Sequence, residues 1–201
     1  MQFEEIKSII KKECKKYGVE FYHGRGKTVM FRDKVKSNGY FTDGDDGEGY
    51  NPRLAIATGA NTLDVLVHEY CHMQQFLEQT PEWLDLTDND FIWRWIDGED
   101  GFTEEQLDGS FKAAYMIELD CEMRSVRQHK EWETGLNEEE YIQKANAYTM
   151  FYLFMRENRV WYKSGREPYS VKEVWSQMPK SFTFDRVACY NQVYQLFELC
   201  I

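Results

Sequence analysis

Two histidines four positions apart, His68 and His72, bracket a glutamate, Glu69, in the stretch VHEYCH at residues 67–72. On a helix, side chains four residues apart lie about 40° apart around the axis and one turn along it, so both imidazoles can bind one ion. Glu69 projects elsewhere and can sit beside a metal-bound water, where a general base is needed. This HExxH pattern therefore predicts a metal centre for hydrolysis, against the alternative of two surface histidines on a helix.

A third protein ligand would leave one coordination position open for water. Glu78 is a poor candidate, because ten residues of straight helix place it about 15 Å from His68. Glu118 is the better candidate, on a second helix with apolar neighbours, and Glu122 lies one turn further on the same face. We expect Glu118 to bind the metal and Glu122 to accept a hydrogen bond from an imidazole of His68 or His72, although the reverse assignment stays open.

With His68-Glu69-x-x-His72 and Glu118-x-x-x-Glu122, the chain resembles zinc metallopeptidases of the zincin group, specifically the gluzincins, over about residues 53–130. It looks like a small, minimal zincin of the phage and bacterial type. The downstream motif of that family is usually Glu-x-x-x-Asp, so Glu122 is a conservative departure. The resemblance implies a Zn²⁺ cofactor held by His68, His72 and Glu118, with Glu69 as the catalytic base.

The same resemblance implies a protein or peptide substrate, which would add as an extended strand to the edge of a predicted strand at residues 53–58. Such enzymes commonly stabilise the oxyanion with a tyrosine or histidine, and four tyrosines are candidates: Tyr115, Tyr148, Tyr152 and Tyr162. The main alternative is a non-catalytic binding or regulatory protein with a structural metal, and a third class is a hydrolase of non-peptide amides. The intact Glu69 favours an enzyme.

Hydrophobic periodicity predicts the elements that must position these residues. We expect helices at 2–17, 61–79, 103–129 (or 110–129), 138–156, 171–177 and 184–199, strands at 19–22, 28–32 and 53–58, and a loop at 38–51. The turn at 24–26 should join the first two strands. The predicted fold class is α+β: a small antiparallel or mixed sheet packed on the HExxH helix, then a mostly helical C-terminal half. We expect one domain, with helix and sheet at 1–60, metal-site helices at 61–130 and a helical part at 131–201.

Charge and composition narrow the partners. The chain of 201 residues has 24 Lys and Arg against 35 Asp and Glu, for a net charge of −11, so a nucleic-acid partner is not expected. No stretch approaches 18 apolar residues and no secretory signal is visible, so we expect no membrane partner. Five scattered cysteines without a CxxC motif are typical of reduced thiols and predict a cytoplasmic protein.

Other residues near the motifs have ordinary structural interpretations. We expect Cys71 and Cys121 to pack in the core rather than to bind metal. His129 should lie on the surface, and His23 should belong to a loop. The aromatic cluster at residues 91–95 favours core packing over the wall of a substrate pocket.

Overall fold

The computed structural model describes residues 1–31, 35–44, 51–59, 61–88 and 91–201. The fold is α+β, with a small mixed sheet and a helical C-terminal half. The strands are β1 (Glu20–His23), β2 (Val29–Phe31), β3 (Val35–Ser37), β4 (Gly39–Thr42) and β5 (Arg53–Ile56). The helices are α1 (Phe3–Lys16), α2 (Thr62–Glu78), α3 (Pro81–Asp88), α4 (Ile92–Ile96), α5 (Glu104–Glu131), α6 (Glu138–Asn158), α7 (Lys172–Trp175) and α8 (Arg186–Val193), followed by a 3-10 helix, Tyr194–Cys200.

The chain forms two compact units. The first contains Met1–Thr80 and Arg127–Gly135, and the second contains Pro81–Val126 and Leu136–Ile201. Among the helices in the described ranges, none combines the length and the apolar character needed to cross a bilayer.

The sheet of the first unit has the order β1-β5-β4, with β1 parallel and β4 antiparallel to the central strand β5. Leu54, Ala55 and Ile56 of β5 are fully buried, and such a continuous apolar run is typical of a strand covered on both faces. β5 was predicted to offer a free edge to a peptide, and this is wrong because both of its edges are already paired. Helix α2 packs on β4 and β5.

The two strands expected around residues 24–26 are present, but they do not form the predicted hairpin. β1 pairs with β5, and β2 pairs instead with β3. The Gly24 amide donates to the Ile56 carbonyl at 2.8 Å, which continues the β1–β5 ladder and keeps that edge of β1 occupied. The predicted loop at 38–51 is also partly wrong, because Gly39–Thr42 form β4; residues 45–50 of that loop lie outside the described residues.

Helix α2 has defined ends. The Thr62 hydroxyl accepts a hydrogen bond from the Gly59 amide at 2.6 Å, just where the sequence predicts the helix to begin. At the other end Gln79 adopts a left-handed conformation, with φ of 51°, and its amide donates to the Phe76 carbonyl. Leu66, Val67 and Met73 anchor the helix in the core, where the Met73 sulfur contacts Sγ of Cys14 at 3.6 Å.

The second unit is built around α6, which the N-cap residue Asn137 precedes and the C-cap residue Arg159 follows. Its core contains the fully buried rings of Phe151, Phe154 and Phe197, packed edge to face or tilted against one another. Of the predicted cluster at residues 91–95, Ile92 is buried in this core and Trp95 packs against it, as expected from the sequence, whereas Trp93 is exposed.

Candidate metal centre

The two histidines of the HExxH motif face each other on α2. Their Nε2 atoms are 3.1 Å apart, and the rings are nearly perpendicular, at 86°. Two nitrogens bound to one tetrahedral zinc ion are about 3.3–3.4 Å apart. Within the first unit, His68 and His72 thus present two donor atoms at a separation that a single ion can bridge with a small side-chain adjustment.

Gln75 fixes the orientation of one of these rings. Its Oε1 lies 2.8 Å from Nδ1 of His72, and the glutamine side chain is fully buried. When Nδ1 donates its proton to this oxygen, Nε2 is left unprotonated with its lone pair available to a metal. Gln75 was not among the residues predicted from the sequence, although its spacing of three residues from His72 places both on one helix face.

A third donor belongs to the same group. The ligand atoms of His68, His72 and Cys121 all lie within 4.8 Å of one another. The histidines are half-buried and Cys121 is fully buried. The group could hold a metal ion, since imidazole and thiolate are both common transition-metal ligands. Cys121 is buried as expected, but the sequence interpretation of pure core packing missed this position near the imidazoles.

Glu69 is held beside the edge strand β4. The glutamate is only 8% exposed, and a Cβ placed on Gly39 would lie 3.0 Å from its Cγ. The same Cβ would come within 2.5 Å of Cγ1 of Val65, one turn earlier on α2. Because nothing larger than a hydrogen fits there, the strand backbone passes directly against the Glu69 side chain.

The two acidic residues predicted on α5, Glu118 and Glu122, are not members of the three-residue group. Oε2 of Glu118 and Oε2 of Glu122 are both buried. Glu122 has a hydrogen bond with the Tyr141 phenol, whose pKa is raised well above its usual value, first by burial and then by the Glu122 charge. The roles assigned to Glu118 and Glu122 from the sequence stay predictions.

The charge of Glu118 contributes to the raised pKa values of three of the four tyrosines singled out in the sequence. Burial raises the pKa values of Tyr148 and Tyr152, and the charge of Glu118 is the second cause in both. The pKa of Tyr162 is raised by burial, with a smaller contribution from Glu118. The hydroxyls of Tyr148 and Tyr152 are 3.4 Å apart. These phenols therefore stay protonated at neutral pH and can donate hydrogen bonds.

His129 is not on the surface, as the sequence suggested, but is 1% exposed. Its Nδ1 lies 2.8 Å from the Thr134 hydroxyl, and its Nε2 lies 3.8 Å from a carboxylate oxygen of Asp64 on α2. Asp64 is distant from His129 in the sequence, and Thr134 lies beyond the end of α5, so helical periodicity alone could not reveal either partner. His23, expected in a loop, is instead the last residue of β1.

Comparison with known proteins gives no assignment: no protein-family model, no curated protein sequence and no solved structure matches this chain. The resemblance to the zincins therefore depends on the motif residues themselves.

Proposed function

We propose that the protein is a zinc-dependent metallopeptidase that hydrolyses peptide bonds with a metal-activated water. The observation that carries the proposal is the pair of Nε2 atoms of His68 and His72, 3.1 Å apart on one helix, with the intervening Glu69 buried against an edge strand. Chance histidines at this spacing would not require a glutamine that orients one ring, and Gln75 supplies that feature.

The residues present fit a zinc ion. His68 and His72 provide two imidazoles, and α5 provides the third donor, for which Cys121 is favoured by its proximity and Glu118 by the motif. A zinc ion bound there would lower the pKa of its water toward about 7 and polarise the scissile carbonyl.

The protein side chains then carry the proton transfers. Glu69 takes a proton from the attacking water and delivers it to the leaving amine, so one carboxylate serves as base and then as acid. Its burial beside Gly39 restricts the rotamers available to it. One of the four tyrosines Tyr115, Tyr148, Tyr152 and Tyr162 would stabilise the oxyanion, because a phenol keeps its proton at neutral pH and can donate it in a hydrogen bond.

The substrate would be an extended peptide that adds to β4. Within the described residues, β4 pairs with β5 along one edge and has no strand on the other. Main-chain hydrogen bonds to that edge would run the peptide past the position where Gly39 touches the Glu69 side chain. β4 thus replaces β5 as the strand to which a peptide binds.

The test compares the unmodified protein with Glu69→Gln. We expect about one zinc ion per chain in both proteins, and casein cleavage slower by about 100- to 10,000-fold in the variant, the usual contribution of a general acid–base group. Glu78→Gln is the matched control, because Glu78 is an exposed glutamate on the same helix. Absence of bound zinc, or equal cleavage by the Glu69→Gln variant, would contradict the proposal.

Cys121 favours a second candidate function. If both Cys121 and Glu118 bind with the two histidines, four protein donors would fill a tetrahedral ion and leave no position for water, as in structural zinc sites. The protein would then be a binding or regulatory protein stabilised by metal. This candidate predicts tightly bound zinc, loss of stability on chelation, and no peptide hydrolysis by any variant.

A further inference from the structure

Phe41 of β4 and Phe76 of α2 form an aromatic pair in the unit that carries His68 and His72. The ring centroids are 5.6 Å apart, with 43° between the ring planes. Both residues are half-buried, so each presents apolar surface to its neighbours within the unit and also at the surface.

Helix α2 places Phe76 next to His72. The two residues are four positions apart, so their side chains lie about 40° apart around the axis and about 6 Å apart along it. Glu69 is on the same side of the helix, because the seven residues from Glu69 to Phe76 make about two turns. Long side chains on a helix lean toward its N-terminus, which brings the Phe76 ring toward His72.

Strand β4 places Phe41 beside the same helix. Phe41 lies on the same face of the strand as Gly39, because side chains two residues apart share a face. On that face a Cβ on Gly39 would lie 3.0 Å from Cγ of Glu69. Tyr40 lies on the opposite face, where its ring is 5.0 Å from that of Phe31. The aromatic pair therefore lies about 7 Å along β4 from the point where the strand meets Glu69.

A peptide that adds to β4 would place one side chain against this pair. Directly opposed residues of antiparallel strands have Cβ atoms about 4.5–5.5 Å apart, so the peptide residue opposite Phe41 would contact its ring. Antiparallel addition is favoured, because antiparallel pairing is slightly more stable per residue than parallel pairing. In that direction the peptide residue opposite Phe41 comes two positions before the residue opposite Gly39.

We propose that Phe41 and Phe76 form a substrate-binding subsite for an aromatic or large aliphatic side chain on the N-terminal side of the scissile bond. The inference rests on the proposed peptidase function and adds the substrate class, an extended peptide segment with such a residue two positions before the one opposite Gly39. The binding energy comes from the removal of apolar surface from water and, for an aromatic residue, from contacts between rings.

The experiment measures binding, which needs no turnover. Heptapeptides of alternating threonine and serine, blocked at both ends, carry phenylalanine, leucine, alanine or aspartate at the central position. Each is titrated calorimetrically into the Glu69→Gln protein. We expect the phenylalanine and leucine probes to bind about 10- to 100-fold more tightly than the alanine probe.

The variants assign that preference to the aromatic pair. Phe76→Lys should reverse it, so that the aspartate probe binds more tightly than the phenylalanine probe, because an ammonium replaces an apolar ring. A merely structural role of Phe76 would not produce such a reversal. Phe31→Leu is the matched control, since the Phe31–Tyr40 pair lies on the opposite face of β4, and it should leave the preference unchanged. Should Phe76→Lys not fold, Phe41→Leu and Phe76→Leu provide the test, and each should lower the phenylalanine-to-alanine affinity ratio several-fold.

Absence of binding by every probe, equal affinity for the phenylalanine and alanine probes, or a preference that survives in Phe76→Lys overturns the inference. Failure of the peptidase proposal is distinguishable, because it appears as absent zinc or absent casein cleavage. The calorimetric preference is measured in both the metal-free and the zinc-loaded protein, so it does not depend on either result.

Discussion

Replacing Gly39 by alanine tests whether β4 positions Glu69. The new Cβ would lie 2.5 Å from Cγ1 of Val65 and 3.0 Å from Cγ of Glu69, whereas ordinary contacts begin at 3.4 Å. The strand or the helix must therefore move by about 1 Å. We expect the free energy of unfolding to fall by about 1–3 kcal/mol, the usual cost of overpacking. The melting temperature should fall by about 2–4 °C for each kcal/mol.

Activity should fall by more than this stability loss explains. A displacement of about 1 Å at a catalytic group can lower the rate about 100-fold. Casein cleavage is therefore measured on zinc-loaded protein well below the melting temperature, where the folded fraction is complete. Urea unfolding, followed by tryptophan fluorescence, gives the stability of the same samples.

Gly24→Ala is the matched control. Its Cβ would meet a valine side chain, Val29, at 3.0 Å, and has no atom of α2 among its nearest neighbours. This variant should lose stability but keep its activity. Adding Val65→Ala to Gly39→Ala should restore part of the stability, because it removes the closest clash. Wild-type activity in Gly39→Ala, or an equal loss of activity in Gly24→Ala, would contradict a role of β4 in positioning Glu69.

Three further predictions concern the metal and the core. Gln75→Met, close to isosteric, should weaken zinc binding about 10- to 100-fold in a competition assay by freeing the His72 ring, while Gln75→Glu should not; equal affinities would remove Gln75 from this role. Cys121→Ser should weaken zinc binding more than Glu118→Gln and remove the thiolate-to-metal absorption of the cobalt-loaded protein, and the opposite ranking would assign the ligand to Glu118. Burial raises the pKa of the Cys200 thiol from 9.0 to about 11. Because the pKa of this thiol is higher in the folded than in the unfolded protein, the free energy of unfolding keeps its full value below about pH 9 and falls by about 2–3 kcal/mol as the pH rises toward 11. Urea unfolding of Cys200→Ala should lack that part of the pH dependence. An unchanged pH dependence in the variant would contradict the prediction.

The parts of the fold that the sequence predicts well are those controlled by local chemistry. Helix α2 was predicted because a polar start near Asn61 or Thr62, an apolar face and a following proline are all local signals. β4 was missed because Gly39–Thr42 is short and begins with the glycine of an asparagine–glycine turn signal. The sequence does indicate that β5 is a central strand, since the consecutive apolar residues Leu54, Ala55 and Ile56 make both of its faces apolar. The prediction used only the alternating pattern and therefore missed this central position.

The residues of the candidate site likewise fall into those that local helix geometry predicts and those that it does not. The convergence of His68 and His72 follows from helical geometry, and the partner Gln75 could have been inferred from its spacing. The proximity of Cys121 and the burial of His129 depend on contacts distant in sequence, which periodicity does not encode. The assignment of Glu118 and Glu122 depends on motif resemblance and stays a prediction.

The parallel pairing of β1 with β5 has a consequence for how the protein is made. This pairing joins segments about 30 residues apart, so a long loop must close before its hydrogen bonds form, whereas α2 can form from local contacts. All three strands of this sheet precede α2 in the chain, so during synthesis β1 and β5 are both made before the HExxH helix that packs on the sheet. Until β5 is in place, β4 lacks the strand with which it pairs in the folded protein, so the edge to which the proposed peptide substrate would add is not yet ordered.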